Sequence, residues 1–207
     1  MTDAPISFDL VKTYPLLIVI SGPSGVGKDT VLDGLKKRRL PLHNVVTATS
    51  RAPRPNEVNG VDYYFYTPEE FETMIERNEL IEYAWVYKQY KGIPRSQVDH
   101  ALLSGQDVIL RVDVQGAEKL RALYPQAILI FLVPGNREEW IFRLTSRQTE
   151  TPETLKLRID TAREELEKIN LFDYMVVNVQ DKLEDTLDAV QSIISAEHHR
   201  TQHRRII

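Results

Sequence analysis

Leu16-Leu17-Ile18-Val19-Ile20-Ser21-Gly22-Pro23-Ser24-Gly25-Val26-Gly27-Lys28-Asp29-Thr30 carries an unbroken apolar run into a glycine-rich turn that ends on a lysine. Five branched aliphatic residues in a row read as a strand covered on both faces, the pattern of a parallel sheet. The glycines let backbone N–H groups turn inward around phosphate oxygens, and a helix starting behind them adds its partial positive charge. Residues Gly22, Pro23, Ser24, Gly25, Val26, Gly27 and Lys28 fill the first seven places of the phosphate-loop pattern G-x-x-x-x-G-K-[ST], with Lys28 placed to reach the outer phosphates. The eighth place departs from it, because Asp29 stands where Ser or Thr is usual and Thr30 follows. Three readings of Asp29 stay open. It ligates Mg²⁺ directly or through water, as hard cations accept carboxylates; it weakens nucleotide binding by repelling phosphates; or it caps the helix while Thr30 does the metal work.

Working outward, Val108 to Val112 and Ile128 to Val133 are further continuous apolar runs, and Met175-Val176-Val177 is a shorter one. Helical spacing separates them: Val31, Leu32 and Leu35; Ala117, Leu120 and Leu123; Leu155, Ile159, Ala162 and Leu166; and Leu183, Leu187, Val190 and Ile194. Strands alternating with helices predict an α/β fold with a parallel core sheet. Two stretches break the rhythm. Residues 48 to about 97 are turn-rich and hold Tyr63 to Tyr66 and Leu80 to Val86, which predict short strands of a separate small sheet. Residues 135 to about 160 are dense in charge and arginine, and both stretches are candidates for mobile insertions. Asp113 ends one core strand, where it either orients a metal or caps the following helix.

Composition bounds the function. At 207 residues, with 27% charged and 42% hydrophobic, the chain suits one folded unit with a sizeable core. A formal net charge of −4 argues against a general nucleic-acid binder, so phosphate recognition falls to local arginines. The absence of cysteine excludes disulfides and thiolate metal sites. No apolar run approaches the roughly 20 residues of a membrane span, and Met1 to Tyr14 lacks a signal-peptide layout, so no membrane partner is expected and a cytoplasmic location is compatible. The basic segment His198 to Arg205 reads as a solvated or frayed terminus.

The segment Thr47-Ala48-Thr49-Ser50-Arg51-Ala52-Pro53-Arg54-Pro55-Asn56-Glu57-Val58-Asn59-Gly60-Val61-Asp62-Tyr63-Tyr64-Phe65 is the most informative after the phosphate loop. Two arginines three apart in a proline-stiffened loop can clamp one phosphate, and Tyr63 offers an uncharged donor. With Asp113-Val114-Gln115-Gly116, these segments resemble guanylate kinases in order and spacing across residues 15 to 196.

The resemblance implies a phosphate-loop NTPase fold of three layers. Its core would be residues 15–47, 98–134 and 161–196, its nucleoside-monophosphate-binding subdomain 48–97, and its mobile lid 135–160. A lead-in, 1–14, and a basic tail, 197–207, would flank them. It implies ATP and Mg²⁺, with GMP or dGMP as acceptor, in a monomer or homodimer. Arg51, Arg54 and Tyr63 would hold the GMP phosphate; Glu57 belongs to the same loop; Glu82 would accept from guanine N1 and N2 hydrogens; Thr47 would lie near the guanine carbonyl. Arg143, Arg147 and Arg158 would be the lid arginines that join Lys28 and Arg51 in catalysis, and Asn178 would lie near adenine. Asp29, Thr30 and Asp113 are the metal candidates, with Asp113 also facing GMP.

Several positions depart from the family pattern. Lys91 replaces a phosphate-binding tyrosine and would still bind the GMP phosphate as a point charge, Ile93 replaces a hydroxyl that helps read guanine, and Arg111 replaces the first Asp of D-x-D-x-Q-G. Arg111 and Asp29 reverse charges that would compensate each other electrostatically. A ribose 1,5-bisphosphate phosphokinase shares the Lys-Asp phosphate loop, another nucleoside monophosphate is a rival acceptor, and a guanylate-kinase-like binding module without catalysis is the rival of a different class.

Overall fold

The computed structural model describes residues 14–86, 89–145 and 152–206. In chain order these form β1 (Leu17–Ser21), α1 (Lys28–Lys37), β2 (Leu42–Asn44), β3 (Ala48–Thr49), β4 (Tyr64–Phe65), α2 (Pro68–Glu76), β5 (Leu80–Val86), β6 (Gln89–Pro94), α3 (Arg95–Leu103), β7 (Asp107–Arg111), α4 (Val114–Leu123), β8 (Ile128–Pro134), α5 (Arg137–Thr145), α6 (Pro152–Glu167), β9 (Tyr174–Asn178) and α7 (Leu183–His198).

The core sheet is five-stranded in the order β2-β7-β1-β8-β9, and every pairing in it is parallel. Alternation along the strands builds two apolar layers, since successive side chains point to opposite faces. Ile18, Ile20, Ile109, Ile128 and Ile130 pack with Leu32 and Leu35 of α1 and with Leu187, Val190 and Ile194 of α7. Leu17, Val19, Val108, Leu110 and Leu129 pack on the other face with Val98 and Leu102 of α3 and Ala117 and Leu120 of α4. The three-layer expectation therefore holds, with β1 in the centre and its carboxyl end feeding the phosphate loop.

Two details differ from the sequence expectation. Leu42-His43-Asn44 carries no apolar run, yet it pairs with β7 as the edge strand β2. At the opposite edge, β9 buries Val176 but exposes Met175 and Val177, so its apolar run is covered on one face.

Residues 48–94 do form a separate sheet, in the order β4-β3-β6-β5. Its own cluster joins Ala48, Leu80, Phe71 and Met74, which docks α2. That helix starts with a reciprocal cap: Glu70 N–H donates to Thr67 Oγ1 at 3.2 Å, and Thr67 N–H donates to Glu70 Oε2 at 2.7 Å. A second small cluster, Trp140, Leu144 and Ala162, ties α5 to α6.

The expectation of a frayed basic terminus is corrected. Glu197, on the last turn of α7, is fully buried and needs a cation, and Arg204 Nε supplies it at 2.8 Å while its Nη2 reaches Asp173 Oδ1 at 3.2 Å. Ile206 then packs on the α3/α4 layer. No helix among the described residues is long and apolar enough to cross a membrane.

Candidate functional site

The phosphate loop turns back on itself between β1 and α1. Gly22 and Gly27 have φ of 138° and 97°, a region L side chains rarely adopt. A Cβ on Gly22 would lie 2.3 Å from the carbonyl oxygen of Leu132, and one on Gly27 would lie 2.5 Å from Asn178 Nδ2. Lys28 opens α1 and folds over the loop, donating from Nζ to the carbonyls of Gly22 at 2.5 Å and Pro23 at 3.1 Å. Burial lowers its pKa below that of an ordinary lysine, against the opposing pull of Glu165, Asp113 and Asp29. An ammonium held among backbone carbonyls and carboxylates in this way is poised to exchange them for phosphate oxygens.

Three cavities meet around the loop. The first, about 460 Å³, is lined by Gly25, Gly27, Thr30, Arg143 and Asn178. The central one, about 330 Å³, is lined by Ser24, Lys28, Thr47, Tyr63, Glu82, Lys91, Ile93, Arg111, Asp113 and Glu165. The third, about 260 Å³, holds Asp29, Lys36, Thr47, Glu57, Tyr63 and Arg111. Elements from both sheets thus converge on Lys28: Glu82 from β5, Lys91 from β6, Arg111 from β7.

The acceptor segment is organised by Glu57. Arg51 donates Nη1 to Glu57 Oε2 and Nη2 to Oε1, both at 2.6 Å, and Arg54 N–H donates to Oε2 at 2.7 Å. Those bonds, Arg51's first and the Arg54 backbone's second, hold the Glu57 carboxyl at about 2. Arg51 also lies over the Tyr63 ring, 4.9 Å from its centroid. The Arg54 side chain is exposed and does not line the central cavity. Only its backbone joins the cluster.

Glu82 lies in the cavity wall, and burial pushes its pKa up despite Lys119 at 3.3 Å. Ile93 is buried at 3% exposure in the α3/α4 layer, so it belongs to the core as well as to the cavity wall.

Helices α5 and α6 contact the loop directly. Arg143 Nη1 donates to the Val26 carbonyl at 3.1 Å and Nη2 to the Asn178 carbonyl at 3.0 Å. Arg158 Nη1 donates to Ser24 Oγ at 3.2 Å, and Trp140 Nε1 donates to the Ser24 carbonyl at 2.8 Å. Arg147 lies outside the described residues. Asn178 bonds the loop itself, donating Nδ2 to the Val26 carbonyl at 2.8 Å.

Glu165 was missed by the sequence reading. Burial pushes its pKa to about 7, with Lys28 opposing and Asp113 reinforcing. It stands seven residues after Arg158, on the same face of α6, and that two-turn spacing was the available signal.

The metal candidates do not come together. Asp29 Oδ1 forms an ion pair with Arg111 Nε at 2.7 Å, Thr30 faces the first cavity, and Asp113 faces the central one. Gly27, not Asp29, occupies the N-cap of α1, so the capping reading of Asp29 is corrected. Asp113 does cap α4, accepting from Gly116 N–H at 2.8 Å through Oδ1. Among the described residues no group of three or more His, Cys, Asp or Glu could hold a metal ion by itself. Asp113, whose second oxygen accepts from no described residue, still suits a Mg²⁺ that takes most of its ligands from phosphates and water.

The guanylate kinase family model matches residues 14–197. Guanylate kinase 2, chloroplastic/mitochondrial, of Oryza sativa subsp. japonica is 53% identical over 193 residues, covering 93% of this chain and 68% of the relative. Guanylate kinase of Bacillus subtilis (strain 168) is 41% identical over 189 residues, 91% of this chain and 92% of the relative. Among solved structures, guanylate kinase from Anaplasma phagocytophilum superposes with a TM-score of 0.70 at 28% identity, covering 93% of this chain and 91% of that one.

Proposed function

The chain belongs to the guanylate kinase family, and on that premise we propose that it transfers the terminal phosphoryl group of ATP to GMP or dGMP. The observation that carries this reading is the central cavity, which places the loop lysine and a desolvated glutamate, Glu82, in one volume with Thr47 and Tyr63. A carboxylate there pairs with the two adjacent donors of guanine, which adenine lacks on the same edge. A sugar bisphosphate has no use for it.

The chemistry asks the protein for position and charge, because the acceptor phosphate is already an anionic nucleophile and needs no general base. The loop amides and Lys28 hold the donor's outer phosphates. Arg51, held by Glu57, and Tyr63 bind the acceptor phosphate, and Arg54 joins them when the loop closes. Transfer is direct and in line, without a covalent enzyme intermediate. Arg143 and Arg158 bring positive charge to the loop, where it stabilises charge spread over the equatorial oxygens. Mg²⁺, held through Asp113 directly or by way of water, would supply further neutralisation of the outer phosphates. Docking of α5 and α6 on the loop excludes water and limits hydrolysis.

The test is ATP·Mg-dependent phosphorylation of GMP, dGMP, AMP, CMP, UMP and ribose 1,5-bisphosphate. Turnover confined to the guanine nucleotides is expected. Turnover with another acceptor overturns the assignment of Glu82, and silence with all six overturns the kinase reading.

A further inference from the structure

The central cavity is lined by three cations, Lys28, Lys91 and Arg111, and by three carboxylates, Glu82, Asp113 and Glu165. Arg111 differs from the other two cations in how it is held. It ends β7 in register with Ile20 of β1, so its side chain leaves the sheet beside the strand that feeds the phosphate loop. It forms part of the wall of both the central cavity and the third one, which contains Asp29 and Glu57. Its Nε lies 2.7 Å from Asp29 Oδ1 in an ion pair, and its two terminal nitrogens pair with no described residue.

A guanidinium tethered through Nε still presents two parallel N–H groups in a fixed fork, the geometry that matches phosphate. The tether has a second consequence. Released from Asp29, the flexible guanidinium would be drawn to Glu82, Asp113 or Glu165 in the same cavity and would occupy the base-reading carboxylate or the capping one. Conversely, Asp29 without Arg111 would place an uncompensated negative charge in the first turn of α1, next to Lys28. The pair is half exposed, at 37% and 63% for the two side chains, and an exposed pair adds little to stability. Its placement is therefore better explained by the ligand than by the fold.

We propose that Arg111 is an acceptor-phosphate-binding residue and that Asp29 is its positioning residue, not a metal ligand. The pair acts as one unit, with Arg111 facing the acceptor phosphate across the cavity from Lys28. This rests on the reading of the central cavity as the acceptor site.

The experiment is a double-mutant cycle on Asp29→Asn and Arg111→Ala, reading KM for GMP, KM for ATP, the Mg²⁺ dependence of kcat, and the melting temperature. Turnover of GMP by the unmodified chain is checked first, so failure of the kinase reading is seen separately. Loss of a charge-assisted phosphate contact raises KM for GMP about tenfold in Arg111→Ala, with KM for ATP moving less than about twofold. Asp29→Asn is expected to give a similar GMP-selective rise, and the double variant to be no worse than Arg111→Ala alone. Melting temperatures should stay within a few degrees of the parent.

Additive losses in the double variant overturn the unit. A rise confined to KM for ATP, or a shifted Mg²⁺ requirement in Asp29→Asn alone, restores Asp29 as a metal ligand and overturns the proposal. If either single variant melts far below the parent, the pair is structural and the proposal also fails.

Discussion

Asn178 donates its side-chain N–H to the Val26 carbonyl at 2.8 Å while its side-chain Oδ1 accepts from Thr186 Oγ1 at 3.1 Å. The end of β9 thereby holds the phosphate loop from beneath, and α7 fixes the amide's orientation. Gly27 is the residue that allows this close approach.

Gly27→Ala should therefore damage both fold and donor site. Its Cβ would lie 2.5 Å from Asn178 Nδ2, on a backbone with φ of 97°. Strain of this kind costs about 2 kcal/mol, and displacement of the loop should raise KM for ATP by about tenfold or more. Chemical denaturation and steady-state kinetics give the two readings. A variant with unchanged KM for ATP would show that the loop tolerates a shifted Asn178.

Glu57→Gln removes one arm of the bidentate bond to Arg51 without changing size. KM for GMP should rise about tenfold while KM for ATP stays put, since Arg51 loses its orientation but not its charge. The depressed carboxyl, at about 2, sets the pH dependence. Its contribution is fully present above the ordinary carboxylate value and is lost only as pH falls toward 2. KM for GMP in the unmodified chain should carry no inflection from Glu57 between about pH 5 and 8.

Glu165 has the opposite sign. Its folded value of about 7 lies above the ordinary 4.5, so the protonated acid favours the folded state. That contribution is complete below about 4.5 and disappears as pH rises through 7. Without nucleotide, the unmodified chain should lose about 1 kcal/mol more than Glu165→Gln between about pH 5 and 8, a figure reduced for partial solvent access. Thermal melts of the two proteins across that range measure the difference. Parallel curves would show that the carboxylate is solvated.

Arg204→Ala strips the buried Glu197 of its closest cation, leaving the Tyr174 hydroxyl at 2.6 Å and Arg200 at 3.5 Å. Breaking a buried pair in this way should cost about 3 kcal/mol, the low end for such a loss because two partners remain. Since the network lies away from the loop, kcat at a temperature well below the melt should be unchanged. Denaturant titration with matched kinetics checks both halves.

Much of the fold was legible along the chain. The strands β1, β7 and β8 are buried on both faces and so appear as continuous apolar runs, and the glycine spacing after β1 is a local necessity of the phosphate turn. Thr67-Pro68-Glu69-Glu70 also announces α2, as a cap with proline at the first helical position, although the sequence reading passed over it. By contrast, β2 and β3 are three and two residues long and exist only because a neighbouring strand offers hydrogen bonds. No periodicity can develop over so short a span.

The site divides in the same way. Lys28, Arg51, Glu57 and Tyr63 lie within motifs whose spacing is set by one turn or one loop, and sequence alone was enough to mark them and the central strand that presents them. The charge reversal at Arg111 and Asp29 suggested that they compensate each other, and they do pair; other meetings across the chain were decided by the tertiary structure alone, Arg204 on Glu197 and Glu165 beside Lys28. Spacing along the chain reports contacts made within a turn or a hairpin, whereas these pairs form only when distant strands and helices pack. Desolvation, which moves the pKa values of Lys28, Glu82 and Glu165, likewise comes from the packed surroundings and has no counterpart in the order of residues.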